Sequence, residues 1–284
     1  MTNHSSNDIR HAVTAWVQGG LGNQLFQLNA ALNLSAATGA PTRLSLASFA
    51  RDQKRNFEAS RLVSQNSVLS WSEELLLGSP YRRDGSLRSQ TPVSRVPIVS
   101  ALHRSDGPVA IPALLVGFFQ DKESISLGTS HVTSRLQSAK LAGDAESWLA
   151  RVSQSVVAHV RRGDYVRLDS ARRTFGYLGR DYYERSFERL GVSRDEVIFF
   201  SDEPDAVVRE FSIPRGAVVG PDDVKSVLDT LILMGRARSI VIPNSTFSWW
   251  ASETVKEVVA PSTWFFDRGS ELWPTRSRWQ LVDN

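Results

Sequence analysis

Two adjacent arginines, Arg161 and Arg162, follow a short apolar run, Ser155-Val-Val-Ala-His159-Val160, which reads as a buried strand. Side chains alternate along a strand, so His159 and Arg161 are expected on one face and Val160 and Arg162 on the other. The carboxyl end of such a strand is where open α/β sheets receive ligands, and a guanidinium fork matches phosphate oxygens. A lone arginine there is more often a strand cap held by a salt bridge. Two further segments weigh against that plainer reading.

The first is Trp16-Val-Gln-Gly19-Gly20-Leu-Gly22-Asn23-Gln24-Leu-Phe26-Gln27. Ala12–Val17 reads as a strand and Asn23 to about Ala37 as a helix. Glycines between them let backbone approach a ligand and aim helix-start amides at an anion. The complete dinucleotide fingerprint is not present, so a tight turn explains the glycines equally well. The second is Ile240-Val-Ile-Pro243-Asn244-Ser245-Thr246-Phe247-Ser248-Trp249-Trp250. Here a strand is ended by proline, and Asn244, Ser245 or Thr246 caps the following helix. That start could cradle phosphate while the tryptophans fill the core.

Together these segments resemble the α-1,2-fucosyltransferase family. The resemblance rests on Gly19–Gln27, His159–Tyr165, Phe199-Phe200-Ser201-Asp202-Glu203 and Asn244–Trp250, with lesser matches at Gly117–Gln120, Asp181–Tyr183 and Ala260–Phe265. It covers roughly residues 13–282 apart from 48–110. Glu203 stands where the family usually has a second Asp, and Ala251-Ser252-Glu253 where it usually has Gly-Ala. The resemblance implies a GT-B-like α/β fold, two Rossmann-like domains facing a cleft. It also implies a GDP-fucose donor and a galactose-containing glycan acceptor. On this basis Gly22, Asn23, Gln24, His159, Arg161, Ser201, Asp202, Asn244, Ser245, Thr246 and Phe247 would bind the donor. Asn23 would lie beside the β-phosphate, His159 near phosphate or guanine, and Asp202 would accept from guanine or ribose.

The chain has 284 residues, a net charge of +3 and no cysteine. A thiolate metal site, a disulfide and a cysteine nucleophile are therefore excluded. Five of the 33 basic residues are lysines, and the basic residues are spread along the chain. That balance suits an anionic small molecule better than nucleic acid, which usually demands a concentrated basic face. Met1–His11 lacks the apolar core of a signal peptide, and the longest apolar run, Ala113–Phe119, cannot span a bilayer. A cytoplasmic protein is the default expectation, with room for peripheral contact at the inner face of the membrane.

The carboxyl half alternates strand 155–160, helix 181–190, strand 196–201, helix 205–211, strand 217–219, helix 223–236, strand 239–243, helix 246–258 and strand 263–266. Such alternation argues a parallel sheet flanked by helices. The amino half starts in the same style, turns irregular over 48–112, and resumes with a strand at 114–118. The expected boundary is at 154, giving an acceptor-side domain 1–154 and a donor-binding domain 155–284.

Fucosyl transfer must stabilise a departing diphosphate. Asp-x-Asp, the usual metal-holding pair, is not present, and the five histidines are widely separated. Protein cations and a helix start are then expected to replace a metal, with Arg161 central and no cofactor beyond the donor. The linkage implies inversion with a general base. Asp164 is the first candidate, Glu203 and Asp181 follow, and a highly dissociative transition state would need no strong base. Arg161, His159 and Asp164 are the expected catalytic set. Other readings are a transferase for another nucleotide sugar, a silent nucleotide- or carbohydrate-binding module, and an adhesion loop built on Arg162-Gly163-Asp164.

Overall fold

In the computed structural model, residues 9–50, 52, 54–102, 109–267 and 275–284 are described. The chain forms two compact units, Met1–Arg135 and Leu136–Asn284.

In the first unit β1 (Val13–Trp16) leads through the glycine turn into α1 (Leu21–Thr38) and β2 (Thr42–Ser45). Then come α2 (Trp71–Leu77), β3 (Ile98–Val99), β4 (Ala113–Leu115), α3 (Lys122–Ser126) and α4 (Ser130–Ser138), the last running into the second unit. The strands pair in parallel in the order β2-β1-β4-β3. β1 is buried at every position, as expected of a parallel strand covered on both faces. Helix α1 begins at Leu21, before the expected Asn23, and stops where Gly39 takes a left-handed φ of 73°. The expected strand at 114–118 is shorter, 113–115, and Phe119 has a φ of 52°.

The second unit contains α5 (Gly143–Val152), β5 (Val156–Val160), α6 (Gly163–Arg167), α7 (Asp169–Phe175), α8 (Arg180–Leu190), β6 (Val197–Ser201) and α9 (Pro204–Phe211). It continues with β7 (Val218–Val219), α10 (Val227–Met234), β8 (Ser239–Val241), α11 (Thr246–Ser252), β9 (Glu257–Pro261) and β10 (Gln280–Val282). These strands are all parallel, in the order β7-β6-β5-β8-β9-β10. The chain thus lays down strands outward from β5 on one side and then outward from β8 on the other. The order reverses between β5 and β8, where doubly wound sheets leave a crevice at their carboxyl ends.

On one face, Tyr183 and Phe187 of α8 and Phe211 of α9 pack with Phe199 of β6. In α11, Trp249 and Trp250 are fully buried, their ring centroids 5.1 Å apart at 75°. Burying 150–250 Å² per aromatic ring stabilises by about 4–6 kcal/mol each before entropy is counted.

Three expectations need correction. The domain boundary falls at 135/136 and not at 154, because α5 packs on α10 and so belongs to the second unit. The helix expected over 246–258 stops at Ser252, and Glu257–Pro261 is β9, paired with both β8 and β10. Residues 263–266 form no strand; the Phe266 N–H instead donates to the Thr174 carbonyl at 2.8 Å.

Candidate functional site

β5 delivers His159, Arg161 and Asp164 to the point where the strand order reverses. His159 is buried, and burial, assisted by Arg161, pushes its imidazole down to about 3. It is therefore a neutral ring at ordinary pH, and its buried Nδ1 has no hydrogen-bond partner. The ring lies 5.5 Å from that of Phe247. The Arg161 side chain is 26% exposed. Its Nη1 donates to Asp202 Oδ2 at 2.6 Å, while its Nη2 stands 3.7 Å from Asp164 Oδ2. One edge of the fork is held and the other is not in hydrogen-bond range of Asp164.

Arg162 has a different task. Its guanidinium is bound by Glu203 (3.2 Å), by the Tyr177 hydroxyl (2.6 Å) and by Glu210. Burial, reinforced by Glu210, keeps the Tyr177 hydroxyl well above the ordinary tyrosine range, so it stays protonated and donates to Glu210 at 2.6 Å. The Arg162 backbone N–H donates to Asp202 Oδ1 at 3.1 Å. Both arginines lie just past the end of β5 and take different partners: Arg161 is held by Asp202, and Arg162 by Glu203, Tyr177 and Glu210. An adhesion tripeptide needs Arg162 available, and here its guanidinium is tied on three sides.

Asp202, expected to accept from a nucleotide, has both oxygens engaged, one by Arg161 and one by Arg162. Gly163 is required beside it, because a Cβ there would overlap Asp202 Oδ2. The Ser201 hydroxyl accepts the Glu203 N–H at 3.1 Å and shapes the turn into α9. Glu203, where the family usually has Asp, reaches Arg162 and also Arg167 at 2.5 Å.

Asn244 departs from its expected part. Its amide NH₂ ties two carbonyls, Trp264 at 2.9 Å and Phe175, so it clamps loops and does not cap α11. Its buried Oδ1 has no partner. Ser245 occupies the cap position and makes no side-chain capping bond, and Thr246 and Phe247 follow half-buried in the first turn. Tyr165 joins the two strand ends. Its hydroxyl donates to the Asn244 carbonyl at 3.0 Å, its ring stacks on Phe175 at 5.0 Å and 5°, and Arg161 lies 5.9 Å from its centroid. Tyr165, Tyr177 and Glu210 are the contributors that sequence reasoning missed. Only Tyr165, one helical turn beyond Arg161, carried a signal.

In the first unit, the glycine turn follows β1. Gly19 has a φ of 78°, and a Cβ there would lie 2.9 Å from Asn23 Nδ2. Gly20 caps α1 without a side chain, and Gly22 sits in its first turn. Gln120, just past β4, donates to Asn23 Oδ1 at 2.9 Å. Gln24, expected on the donor, is instead consumed internally. Its NH₂ donates to the Gly19 and Asn56 carbonyls, both at 2.8 Å, and its oxygen accepts the N–H groups of Glu58 and Ala59. It fixes the turn and has no free valence for a ligand.

Among the described residues, no three His, Asp or Glu side chains are grouped as metal ligands would be, and no helix is long and apolar enough to cross a membrane.

The parallel doubly wound sheet thus places a part-exposed guanidinium and a helix start without a side-chain cap at its reversal point, where such sheets receive ligands. A family model for glycosyl transferase family 11 matches residues 99–258, and the chain belongs to that family. It is 32% identical over 114 residues to the O-antigen biosynthesis glycosyltransferase WbnK of Escherichia coli, a match spanning 38% of this chain and 38% of that protein. It is 24% identical over 293 residues to an alpha-1,2-colitosyltransferase of Escherichia coli, covering 92% of this chain and 97% of the relative. Among solved structures, the NodZ alpha-1,6-fucosyltransferase soaked with GDP-fucose superposes with a TM-score of 0.44 at 14% identity, covering 89% of this chain and 95% of that one.

Proposed function

We propose that this family 11 glycosyltransferase moves L-fucose from GDP-β-L-fucose to the 2-hydroxyl of a galactoside, with inversion and without a metal. The observation that carries the proposal is the assembly at the ends of β5 and β8. There a quarter-exposed Arg161, a neutral His159 with an unpartnered Nδ1 and the uncapped start of α11 converge. The motif resemblance supports GDP-fucose. The likeness to an alpha-1,2-colitosyltransferase along nearly the whole chain supports the linkage.

In this reading the acceptor 2-oxygen bonds to the anomeric carbon as the carbon–oxygen bond to the β-phosphate breaks. The electron pair leaves with GDP, and Arg161 meets the growing charge on the diphosphate. A preorganised donor of this kind contributes on the order of 10²–10³ in rate. Asp202 acts by holding Arg161, while Ser245, Thr246 and Phe247 line the diphosphate and base. The hydroxyl proton passes to Asp164, in the first turn of α6. His159, being neutral, contributes a hydrogen bond and no charge. Within the first unit, Gly22 and Asn23 of the glycine turn are the candidate ligand contacts, and that unit is assigned the acceptor.

Calorimetry with GDP and UDP tests the donor, with tighter binding of GDP expected and preference for UDP refuting it. Incubation with GDP-fucose and a panel of β-galactosides, with the new bond located by NMR, tests the rest. GDP binding with transfer of a different sugar would point to another GDP-linked donor, and GDP binding without transfer to a silent module. EDTA should leave the rate unchanged; a strict metal requirement would overturn the assignment of charge to Arg161.

A further inference from the structure

Helix α2 presents its acids and Leu77 to the protein, and Trp71, Leu75 and Leu76 to water. Glu73 closes a capping box on Ser70 and receives the Nη2 of buried Arg43 at 2.7 and 2.8 Å. Glu74 accepts the Ser45 hydroxyl at 2.7 Å and the Leu46 N–H at 2.8 Å. On the outside, Trp71 is 77% exposed, Leu75 55% and Leu76 51%, and nearby Val93 is 58% exposed. Trp71 and Leu75 are one turn apart on the same side. The Leu76 carbonyl accepts the Ser94 N–H at 3.1 Å, and a Cβ at Gly78 would touch Pro92 and Val93, so Val93 adjoins the end of the helix. Arg82, Arg83 and Arg95 are exposed in the same excursion; Asp84, also exposed and bonded to the Ser86 hydroxyl at 2.7 Å, offsets part of the charge of Arg82.

The four apolar residues expose an area on the order of 450 Å², the size of a functional patch. That falls short of the roughly 800 Å² each partner of a standard protein interface contributes. A second copy across a two-fold axis would also set these arginines against themselves. Exposed tryptophan and leucine in a segment that also carries exposed arginines is the composition that settles at a lipid headgroup layer.

We propose that this face docks on an anionic lipid surface. Trp71, Leu75, Leu76 and Val93 enter the headgroup region, and Arg82, Arg83 and Arg95 meet lipid phosphates. The inference is independent of the donor and linkage proposed above.

Flotation of the full chain with phosphatidylglycerol–phosphatidylcholine vesicles, and with phosphatidylcholine vesicles alone, tests it. Binding should favour the anionic vesicles and weaken with added salt. A Trp71→Ser/Leu75→Ser variant should lose at least tenfold in partitioning. An Arg82→Ser/Arg83→Ser variant should lose about 25-fold on anionic vesicles, since each surface charge is worth roughly fivefold. These side chains are exposed, so thermal unfolding should be unchanged in both variants. The proposal fails if the wild type does not float with anionic vesicles or if the variants float equally well. It also fails if light scattering shows a wild-type dimer that the Trp71→Ser/Leu75→Ser variant converts to monomer, which would make the patch a self-association surface.

Discussion

His159 makes the second unit's stability depend on pH in a way that can be isolated. Its pKa drops from 6.5 to about 3 on folding, chiefly through burial. The unfolded chain therefore binds a proton at pH values where the folded chain does not. Above about pH 6.5 neither state is protonated and His159 exacts no penalty. As pH falls from 6.5 toward 3, the unfolded state gains the proton and stability is lost at up to about 1.4 kcal/mol per unit. Between pH 7 and pH 5 this amounts to about 2 kcal/mol. Replacing His159 with Gln removes the titrating group, so the difference in stability between pH 7 and pH 5 should shrink by about that amount, whatever the variant's absolute stability. Urea unfolding followed by tryptophan fluorescence is a suitable assay, because Trp249, Trp250, Trp264 and Trp279 are all buried in the same unit as His159. NMR supplies a direct check: the Cε1–H signal that disappears in the variant should not shift between pH 8 and pH 5. An ordinary titration near 6.5, or equal pH dependence in both proteins, would refute the neutral-imidazole assignment. It would also restore His159 as a charge for the phosphate.

Arg161→Ala should cost on the order of 10²–10³ in kcat/KM with the thermal midpoint little changed, and Arg161→Lys should recover little because the planar fork is lost. Arg162→Ala should instead lower stability by about 2 kcal/mol, read as a lower urea midpoint, by leaving Glu203 and Glu210 without their partner; its activity should fall less than that of Arg161→Ala, and equal losses would contradict the division of labour between the two arginines. Gly163→Ala should displace Asp202 and reduce activity through Arg161; unchanged kinetics would show that the Asp202–Arg161 bond does not matter.

The parts of the fold that sequence revealed were those where burial leaves a continuous mark. Val13–Trp16, Val156–Val160, Val197–Ser201 and Ser239–Val241 are covered on both faces and read as unbroken apolar or β-branched runs. β9 was hidden because Glu253, Lys256 and Glu257 continue a helix-compatible pattern past Ser252. What ends the helix is tertiary: Glu253 binds Arg276 at 2.5 and 3.0 Å, and Glu257 accepts the Ser239 hydroxyl at 2.6 Å. For the site, the face alternation around Val160 separated Arg161 from Arg162. Helix-cap chemistry suggested Asn244 as a phosphate ligand, but the carbonyls it holds, at Phe175 and Trp264, are 69 and 20 residues away in sequence. Glu210, which holds Arg162 from 48 residues away, left no local trace for the same reason. Such partners are created by folding and have no period or spacing of their own.

The carboxylates beside Arg161 bear on what an anion approaching it would have to offer. Its guanidinium is paired with Asp202 at 2.6 Å and faces Asp164 at 3.7 Å, so a singly charged ion would gain little by displacing either. In the proposed reaction the diphosphate would have to share Arg161 with Asp202, whose other oxygen accepts the Arg162 N–H. On that proposal, the charge a ligand carries would weigh in its recognition alongside its base and sugar.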